Sequence, residues 1–333
     1  MPIPIQNIYY LLCYAWNKLE EQEMVEVSVS GETNLQELFT KVLITATKWQ
    51  LKRGLQKSYL PVHEQFNGIK GKLDVQTSVK HQLFPKGLTV CEFDEFSANT
   101  LPNQIVKSTL IKLLSLEQFS KNLLQEIRSL LPRFAGIDLI PLKPTIYSRV
   151  VLNRDTQFYD FLLKICQLIN EQLLIEERDG KFLFKDFLQD ERKMAHVFEE
   201  FVRNFYRKHL HAKVFREDLK WQIDSQDNAF LPKMQTDISI QFPNKKVIID
   251  TKYYKETFQH YYDKEKIHSA NLYQLFAYLK NQSDKNCEGI LLYPVVRQEV
   301  RLKFQHEEHQ IRIETINLNQ DWQQIEMDLL AFI

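Results

Sequence analysis

Two runs near residue 240 alternate apolar and polar positions with the two-residue period of a strand. In Thr236-Asp237-Ile238-Ser239-Ile240, Ile238 and Ile240 fall on one side, and Asp237 and Ser239 fall on the other. In Val247-Ile248-Ile249-Asp250-Thr251-Lys252-Tyr253, the set Val247, Ile249, Thr251 and Tyr253 opposes Asp250 and Lys252. Pro243-Asn244-Lys245-Lys246 between them is a turn signal, so the pair reads as a hairpin with one buried face. Upstream, Phe198, Phe201, Val202 and Phe205 recur at helical spacing and predict a helix over 193–209, with Glu199, Arg203 and Tyr206 on an adjacent face. Strands are expected near 213–221, 231–241, 246–254, 287–294, 299–304 and 310–318. A helix is expected over about 269–281, and a last one from Asp321. In the 269–281 helix Leu272, Leu275, Phe276 and Leu279 form the apolar side, while Gln274 and Tyr278, four apart, line a different one. This order of elements predicts an α/β domain built on a mixed sheet flanked by helices.

The first half reads differently. Helices are predicted over 5–20 and about 33–54, the second beginning after Ser30-Gly31-Glu32-Thr33-Asn34. Segments near 58–66, 69–79 and 87–95 alternate like strands, with Gly68, Gly71 and Pro85-Lys86-Gly87 as breakers. Residues 98–131 read as helical, with Leu110, Leu113, Leu114 and Leu116 supplying an apolar stripe, and another helix covers about 155–175 before a turn at Asp179-Gly180. Pro132 to Pro144, which includes Gly136 and Pro141, has the composition of a linker. The chain therefore divides into an α+β region over 1–150, a helical connector over 151–190 and the α/β domain over 191–333.

Composition narrows the function classes. Lys and Arg together number 43, as do Asp and Glu, so no global positive charge marks a nucleic-acid partner. Any such contact must come from local patches or from another subunit. Cys13, Cys91, Cys166 and Cys287 are scattered without a C-x-x-C pair, which argues against a zinc ribbon or disulfide framework and suits a reducing cytoplasm. The N-terminus lacks a basic signal-like region, and no apolar run approaches the roughly 20 residues that span a bilayer. Gly68-Ile69-Lys70-Gly71-Lys72 lacks the spacing and the Ser/Thr of a phosphate-binding loop. Any nucleotide hydrolysis belongs to another protein.

The candidate chemistry sits on the hairpin. Asp/Glu-x-Lys occurs four times, at Asp179, Glu191, Asp218 and Asp250, and is close to noise by itself. Only Asp250-Thr251-Lys252 follows an aliphatic run and a preceding strand that supplies a second acid, Asp237. Two carboxylates suffice for Mg2+, a hard cation that keeps places for water and phosphate oxygens. Asp237 and Asp250 are the expected metal ligands, with the Thr251 carbonyl as an additional one. Lys252 is placed to orient or deprotonate a water or to stabilise transition-state charge. Glu199 reads equally as an accessory carboxylate or as a solvated ion pair with Arg203. His209-Leu210-His211 and His306-Glu307-Glu308-His309 lack zinc-ligand order and are set aside.

The set Thr236-Asp237, Ile249-Asp250-Thr251-Lys252, Gln274 and Tyr278 resembles the PD-(D/E)xK nuclease superfamily. More specifically, the chain resembles the McrC nuclease subunits of McrBC-type modification-dependent restriction systems, along nearly its whole length. Carrying segments are Ile5-Gln6-Asn7-Ile8-Tyr9-Tyr10, Tyr14-Ala15-Trp16, Arg53-Gly54-Leu55, Gly68-Ile69-Lys70-Gly71-Lys72 and Ile105-Val106-Lys107-Ser108-Thr109-Leu110. The most specific are Leu231-Pro232-Lys233-Met234-Gln235-Thr236-Asp237, Asp250-Thr251-Lys252-Tyr253-Tyr254 and His268-Ser269-Ala270-Asn271-Leu272-Tyr273-Gln274-Leu275. The resemblance implies a Mg2+-dependent endonuclease with Asp237, Asp250 and Lys252 as catalytic residues and Gln274 in support. It further implies double-stranded DNA carrying modified cytosine as substrate, and a McrB-like AAA+ GTPase hexameric ring as motor. The N-terminal region is then expected to dock on that ring and stimulate it, with Arg53 either a contact to it or a helix-end charge. A stand-alone nuclease of repair or mobile-element processing, and a non-catalytic GTPase-activating adaptor, are the rival readings.

Overall fold

The computed structural model describes residues 3–17, 35–116, 119–172, 190–223, 230–253, 259–261, 264–266, 268–282, 286–295 and 300–333. Ser30 to Asn34, the Asp179-Gly180 turn and Tyr254 lie outside the described residues. The chain forms two compact units. One joins Met1–Thr33 to Asp186–Ile333, and the other is Asn34–Lys185. This division differs from the one expected from composition, and its cause is the first helix.

Helix α1 (Ile5–Ala15) buries Ile8, Tyr9, Leu11, Leu12 and Tyr14. Its polar contacts run to the C-terminal part of the same unit. The Asn7 amide donates to the carbonyls of Leu318 (2.9 Å) and Gln320 (2.8 Å), and the Tyr14 hydroxyl donates to Glu326 (2.8 Å). The Asn204 amide returns a bond to the Tyr14 carbonyl at 3.0 Å. The N-terminal motif is thus a clasp on the C-terminal unit.

The 34–185 unit contains α2 (Leu35–Arg53), β1 (Ser58–Asn67), β2 (Lys72–Asp74), α3 (Val75–Lys80), β3 (Leu88–Ser97), α4 (Leu101–Leu114), α5 (Lys121–Leu130) and α6 (Gln157–Gln172). The three strands form an antiparallel sheet in the order β1-β3-β2. Three expectations change here. The second alternating segment stops at Asp74, whose carboxylate caps the Thr77 N–H at 2.9 Å and starts α3 in place of more strand. The single helix expected over 98–131 is two, the second starting where Ser120 caps the Leu123 N–H. Pro132 to Pro144 is no linker: Phe134 and Ile137 are buried, and the Ile140 N–H donates to Ser108 at 2.9 Å.

The C-terminal part follows the expected order: α7 (Glu191–His209), β4 (Lys213–Phe215), β5 (Asp218–Leu219), β6 (Met234–Gln235), β7 (Ile238–Gln241) and β8 (Lys246–Thr251). After a short hairpin of β9 (Gln259–Tyr261) and β10 (Lys264–Lys266) come α8 (Ser269–Lys280), β11 (Cys287–Val295), β12 (Arg301–His306), β13 (His309–Asn317) and α9 (Trp322–Ala331). Six strands make one mixed sheet, β12-β13-β11-β8-β7-β4, in which β8, β11 and β13 are parallel neighbours. Every residue of β8 is buried, so the hairpin is a sheet interior and not the half-exposed pair expected. One face packs Ile248, Leu291, Tyr293 and Ile313 against Leu275 and Leu279 of α8. Gly289 permits that approach, because a Cβ there would stand 2.9 Å from Leu279 and 3.0 Å from Leu275. On α7 Phe201, Phe205 and Tyr206 are buried, with the Tyr206 hydroxyl donating to the Leu329 carbonyl of α9 at 2.8 Å.

The strands expected over 213–221 and 231–241 both break, at Arg216-Glu217 and at Thr236-Asp237. β4 pairs with β7 in the large sheet, whereas β5 pairs with β6 separately. Among the described residues no helix is long and apolar enough to cross a membrane.

Removal of the clasp should be measurable. Asn7 is 4 % exposed, and its loss strands two carbonyls, so Asn7→Ala should cost about 1–3 kcal/mol. Urea denaturation of the full chain tests this. An unchanged midpoint would mean that α1 contributes little to the unit it covers.

Candidate active site

β7 and β8 pair antiparallel with Ile238 opposite Ile249. One further step in that register sets Asp237 opposite Asp250, where side chains of facing residues share a side. Asp250 belongs to the fully buried strand and is 0 % exposed. Among the described residues neither of its carboxylate oxygens has a hydrogen-bond partner. The Lys252 ammonium stands 2.9 Å from Oδ2, close enough for an ion pair but not aligned as a hydrogen bond. Burial pushes the Asp250 carboxyl up from 3.8 to about 7; Lys252 opposes the shift, and Asp237 and Glu199 add to it. Desolvation outweighs the lysine.

Asp237 is held from two directions. Its Oδ2 accepts from the Thr251 N–H at 2.9 Å and from the Thr251 hydroxyl at 3.0 Å. Its main-chain carbonyl accepts from Arg203 Nη1 at 2.9 Å. Thr251, expected to offer its carbonyl to a metal, therefore also fixes the neighbouring carboxylate through its amide and hydroxyl.

Lys252 is steered by α8. Its ammonium donates to Gln274 Oε1 at 2.9 Å, the Gln274 amide donates to the Tyr278 hydroxyl at 2.6 Å, and that hydroxyl donates to the Gln235 carbonyl at 2.7 Å. The relay ends on the main chain two residues before Asp237. Gln274 and Tyr278 share a side of the helix, as their spacing predicts, but differ in burial. Gln274 is exposed, while the Tyr278 ring lies in the core beside Leu275 and Leu279, only 4 % exposed. Burial pushes the Tyr278 phenol up to about 12.

On α7, Glu199 makes the expected ion pair with Arg203, largely buried and not solvated. Oε1 accepts from Arg203 at 2.8 Å and stands 3.5 Å from Arg216 Nε, and the same residue lines a cleft of about 390 Å³ with Arg192, His196, Asp237, Thr251 and Lys252. Burial works against the Arg203 charge, but Glu199 and Glu200 outweigh it and hold its pKa above the ordinary value. Residue-type reasoning passed over Arg192, His196 and Arg216, and took Arg203 as no more than a partner of Glu199. The available signal was an arginine embedded among the phenylalanines of α7. Of the histidine pairs set aside, His209 stands 3.0 Å from the Tyr14 hydroxyl. Among the described residues no three His, Cys, Asp or Glu side chains gather to hold a metal by themselves. The site offers carboxylates in pairs and leaves the remaining positions to other oxygens.

Comparison with known proteins identifies the family. The sequence pattern of one family, the McrBC 5-methylcytosine restriction system component, matches residues 6–294. The chain is 34% identical over 335 residues to the type IV methyl-directed restriction enzyme EcoKMcrBC of Escherichia coli (strain K12), covering 98% of this chain and 96% of that protein. Among solved structures it is similar to a chain in the half-complex from a tetradecameric assembly of Thermococcus gammatolerans McrB AAA+ hexamers with bound McrC. The TM-score is 0.61 at 17% identity, over 99% of this chain and 76% of that one. At that identity the likeness is one of fold.

The buried carboxylate generates a signed pH dependence. Because the folded-state pKa of about 7 lies above the ordinary 3.8, the folded protein favours the protonated form. Its contribution to stability is full below about pH 4 and is lost as pH rises through 7. Asn cannot ionise, so in metal-free buffer Asp250→Asn should be more stable than the parent at pH 8, on the order of 2–4 kcal/mol. The gain should shrink toward pH 5. Thermal melts at both pH values check it, and a pH-independent difference would contradict the assignment.

Proposed function

The chain belongs to the McrBC 5-methylcytosine restriction family, and we propose that it is the metal-dependent DNA endonuclease subunit of such a system, with a PD-(D/E)xK-type site. The observation that carries this reading is Asp250. A carboxylate that is 0 % exposed, with a second acid beside it, the Lys252 ammonium 2.9 Å from Oδ2 and no hydrogen-bond partner for Oδ1 among the described residues, remains costly, and a bound metal cation would offset that cost. The donor set suits Mg2+, which takes oxygen ligands, needs only one or two carboxylates and retains waters.

Asp237 and Asp250 would hold the ion, with the Thr251 carbonyl as a further oxygen. Mg2+, when bound, supplies neutralisation of phosphoryl charge and a water of lowered pKa. The protein's own groups do the rest. Thr251 fixes the Asp237 carboxylate, so its lone pairs need no reorientation during the reaction. Lys252 brings an ammonium into the cleft, and Gln274 sets its direction, so it can orient the attacking water or meet charge growing on the phosphate. Tyr278 anchors Gln274 to the main chain beside Asp237 and thereby links the placement of the lysine to that of the acid.

DNA carrying modified cytosine is the substrate that the family description supports. Neutral overall charge and the lack of a phosphate-binding loop leave recognition and energy to a partner, and the structure of the Thermococcus assembly supplies its class: an AAA+ hexamer of the McrB type. In this reading the 34–185 unit meets the motor and stimulates its GTP hydrolysis, while α1 belongs to the nuclease unit.

Reconstitution with an McrB-type partner, methylated DNA, GTP and Mg2+ tests the assignment. Lys252→Ala should lower cleavage at least ~100-fold while leaving GTP hydrolysis stimulated. Lys252→Arg should fail comparably, because a planar guanidinium neither takes a proton nor occupies the place of a compact ammonium. Recovery of most of the rate by arginine would limit the lysine to charge stabilisation. Undiminished cleavage by Lys252→Ala or Asp250→Asn would sink the nuclease site and favour an adaptor that only activates the motor.

A further inference from the structure

α7 carries a buried cation beside its apolar stripe. Arg203 lies among Phe198, Phe201, Val202 and Phe205, and its side chain is 5% exposed. A charge so deeply placed must meet acceptors on every side to be tolerated. Nη1 donates to Glu199 Oε1 at 2.8 Å and to the Asp237 carbonyl at 2.9 Å, and Nη2 pairs with Glu200.

That carbonyl sits at a break in the sheet. The β4–β7 ladder ends with Phe215 opposite Ser239, and pairing resumes only where the Thr236 N–H meets the Glu217 carbonyl at 2.9 Å. Between those points the chain leaves the large sheet for the β5–β6 pair, and the Asp237 carbonyl turns to α7 instead of to a strand. The orientation of residue 237 is therefore fixed by a helix side chain and not by the ladder.

We propose that Arg203 is a positioning residue for the cation site, holding the Asp237 backbone so that its carboxylate meets Thr251 and faces Asp250. The inference rests on the reading of Asp237 and Asp250 as cation ligands. A guanidinium suits the task because one rigid fork reaches two carboxylates and a carbonyl at once, which a lysine's single nitrogen cannot do with the same geometry. A core ion pair without this role would alter stability and leave cation affinity alone, and the two roles can be separated on that basis.

Mn2+ binding to the full chain, followed by electron paramagnetic resonance, provides a readout independent of activity. Arg203→Lys should keep the circular dichroism of the parent and weaken Mn2+ binding about 10- to 100-fold, the usual effect of losing a group that orients a ligand. In an Asp237→Asn background the same change should have no further effect. Glu200→Gln, which leaves the fork on Asp237 and Glu199, should change affinity less than about threefold. If Arg203→Lys fails to fold, Arg203→Met combined with Glu200→Gln removes charges on both sides and is read in the same way. Parental affinity in the folded Arg203 variants, or equal weakening with and without Asp237, would overturn the positioning role. A parent chain that binds no Mn2+ would overturn the cation site itself, a different outcome.

Discussion

The C-terminal unit is organised around one unfavourable placement: the carboxylate of Asp250 at the end of a strand buried on both faces. Asp250 lies on β8, flanked by β7 and β11, with aliphatic neighbours that cannot solvate it. Placing a charge in such surroundings costs several kcal/mol, a large share of the stability of an ordinary domain. The flanking elements can be understood as responses to that cost. β8 supplies Lys252 two residues on, α8 supplies the Gln274–Tyr278 relay that directs the lysine, and α7 supplies the arginine that anchors the opposing acid. Neither helix solvates Asp250 directly. They hold the groups around it, with Lys252 beside Oδ2 and no hydrogen-bond partner for Oδ1 among the described residues.

A rigid platform is the other requirement, and the N-terminal helix helps to supply it. Tyr14 packs edge-on against Phe201 at 5.5 Å between ring centres, and lies 5.6 Å from both Phe205 and Trp322. These are the same α7 phenylalanines that bracket Arg203. Aromatic packing of this kind is directional and adds to the area it buries. Sequence distance conceals the connection: residues 5–15 complete the surface of a unit that otherwise begins at Asp186.

The sequence was informative where a short period coincided with unusual chemistry. The hairpin and its triad of Asp237, Asp250 and Lys252 were legible because strand alternation places charged residues beside a run of Val and Ile only for a reason. The helices of the C-terminal unit were legible because phenylalanine and leucine recur at helical spacing over several turns. What escaped was information that local pattern does not carry. Alternation continues from Met234 through Thr236-Asp237 to Ile240, so on that strand the break that frees the Asp237 carbonyl leaves no periodic trace. An apolar helix face such as that of α1 announces that it is covered but not by what. The prolines and glycine of 132–144 are compatible with a linker and equally with an extended segment, and only the burial of Phe134 and Ile137 decides between them.

The break in the strands also explains why the site lies where it does. Within a regular ladder, Asp237 would have its carbonyl tied to β4 and its side chain fixed by the pleat alone. Leaving the ladder at that residue releases both groups. The carboxylate is then recaptured by Thr251 of β8 and the carbonyl by α7, so two separate elements determine its position. Regularity resumes on either side, with Ile238 paired to Ile249 and Met234 paired to Leu219. An irregularity one or two residues long, bounded by regular pairing, concentrates conformational freedom at Asp237, while the sheet around it bears the cost of burial.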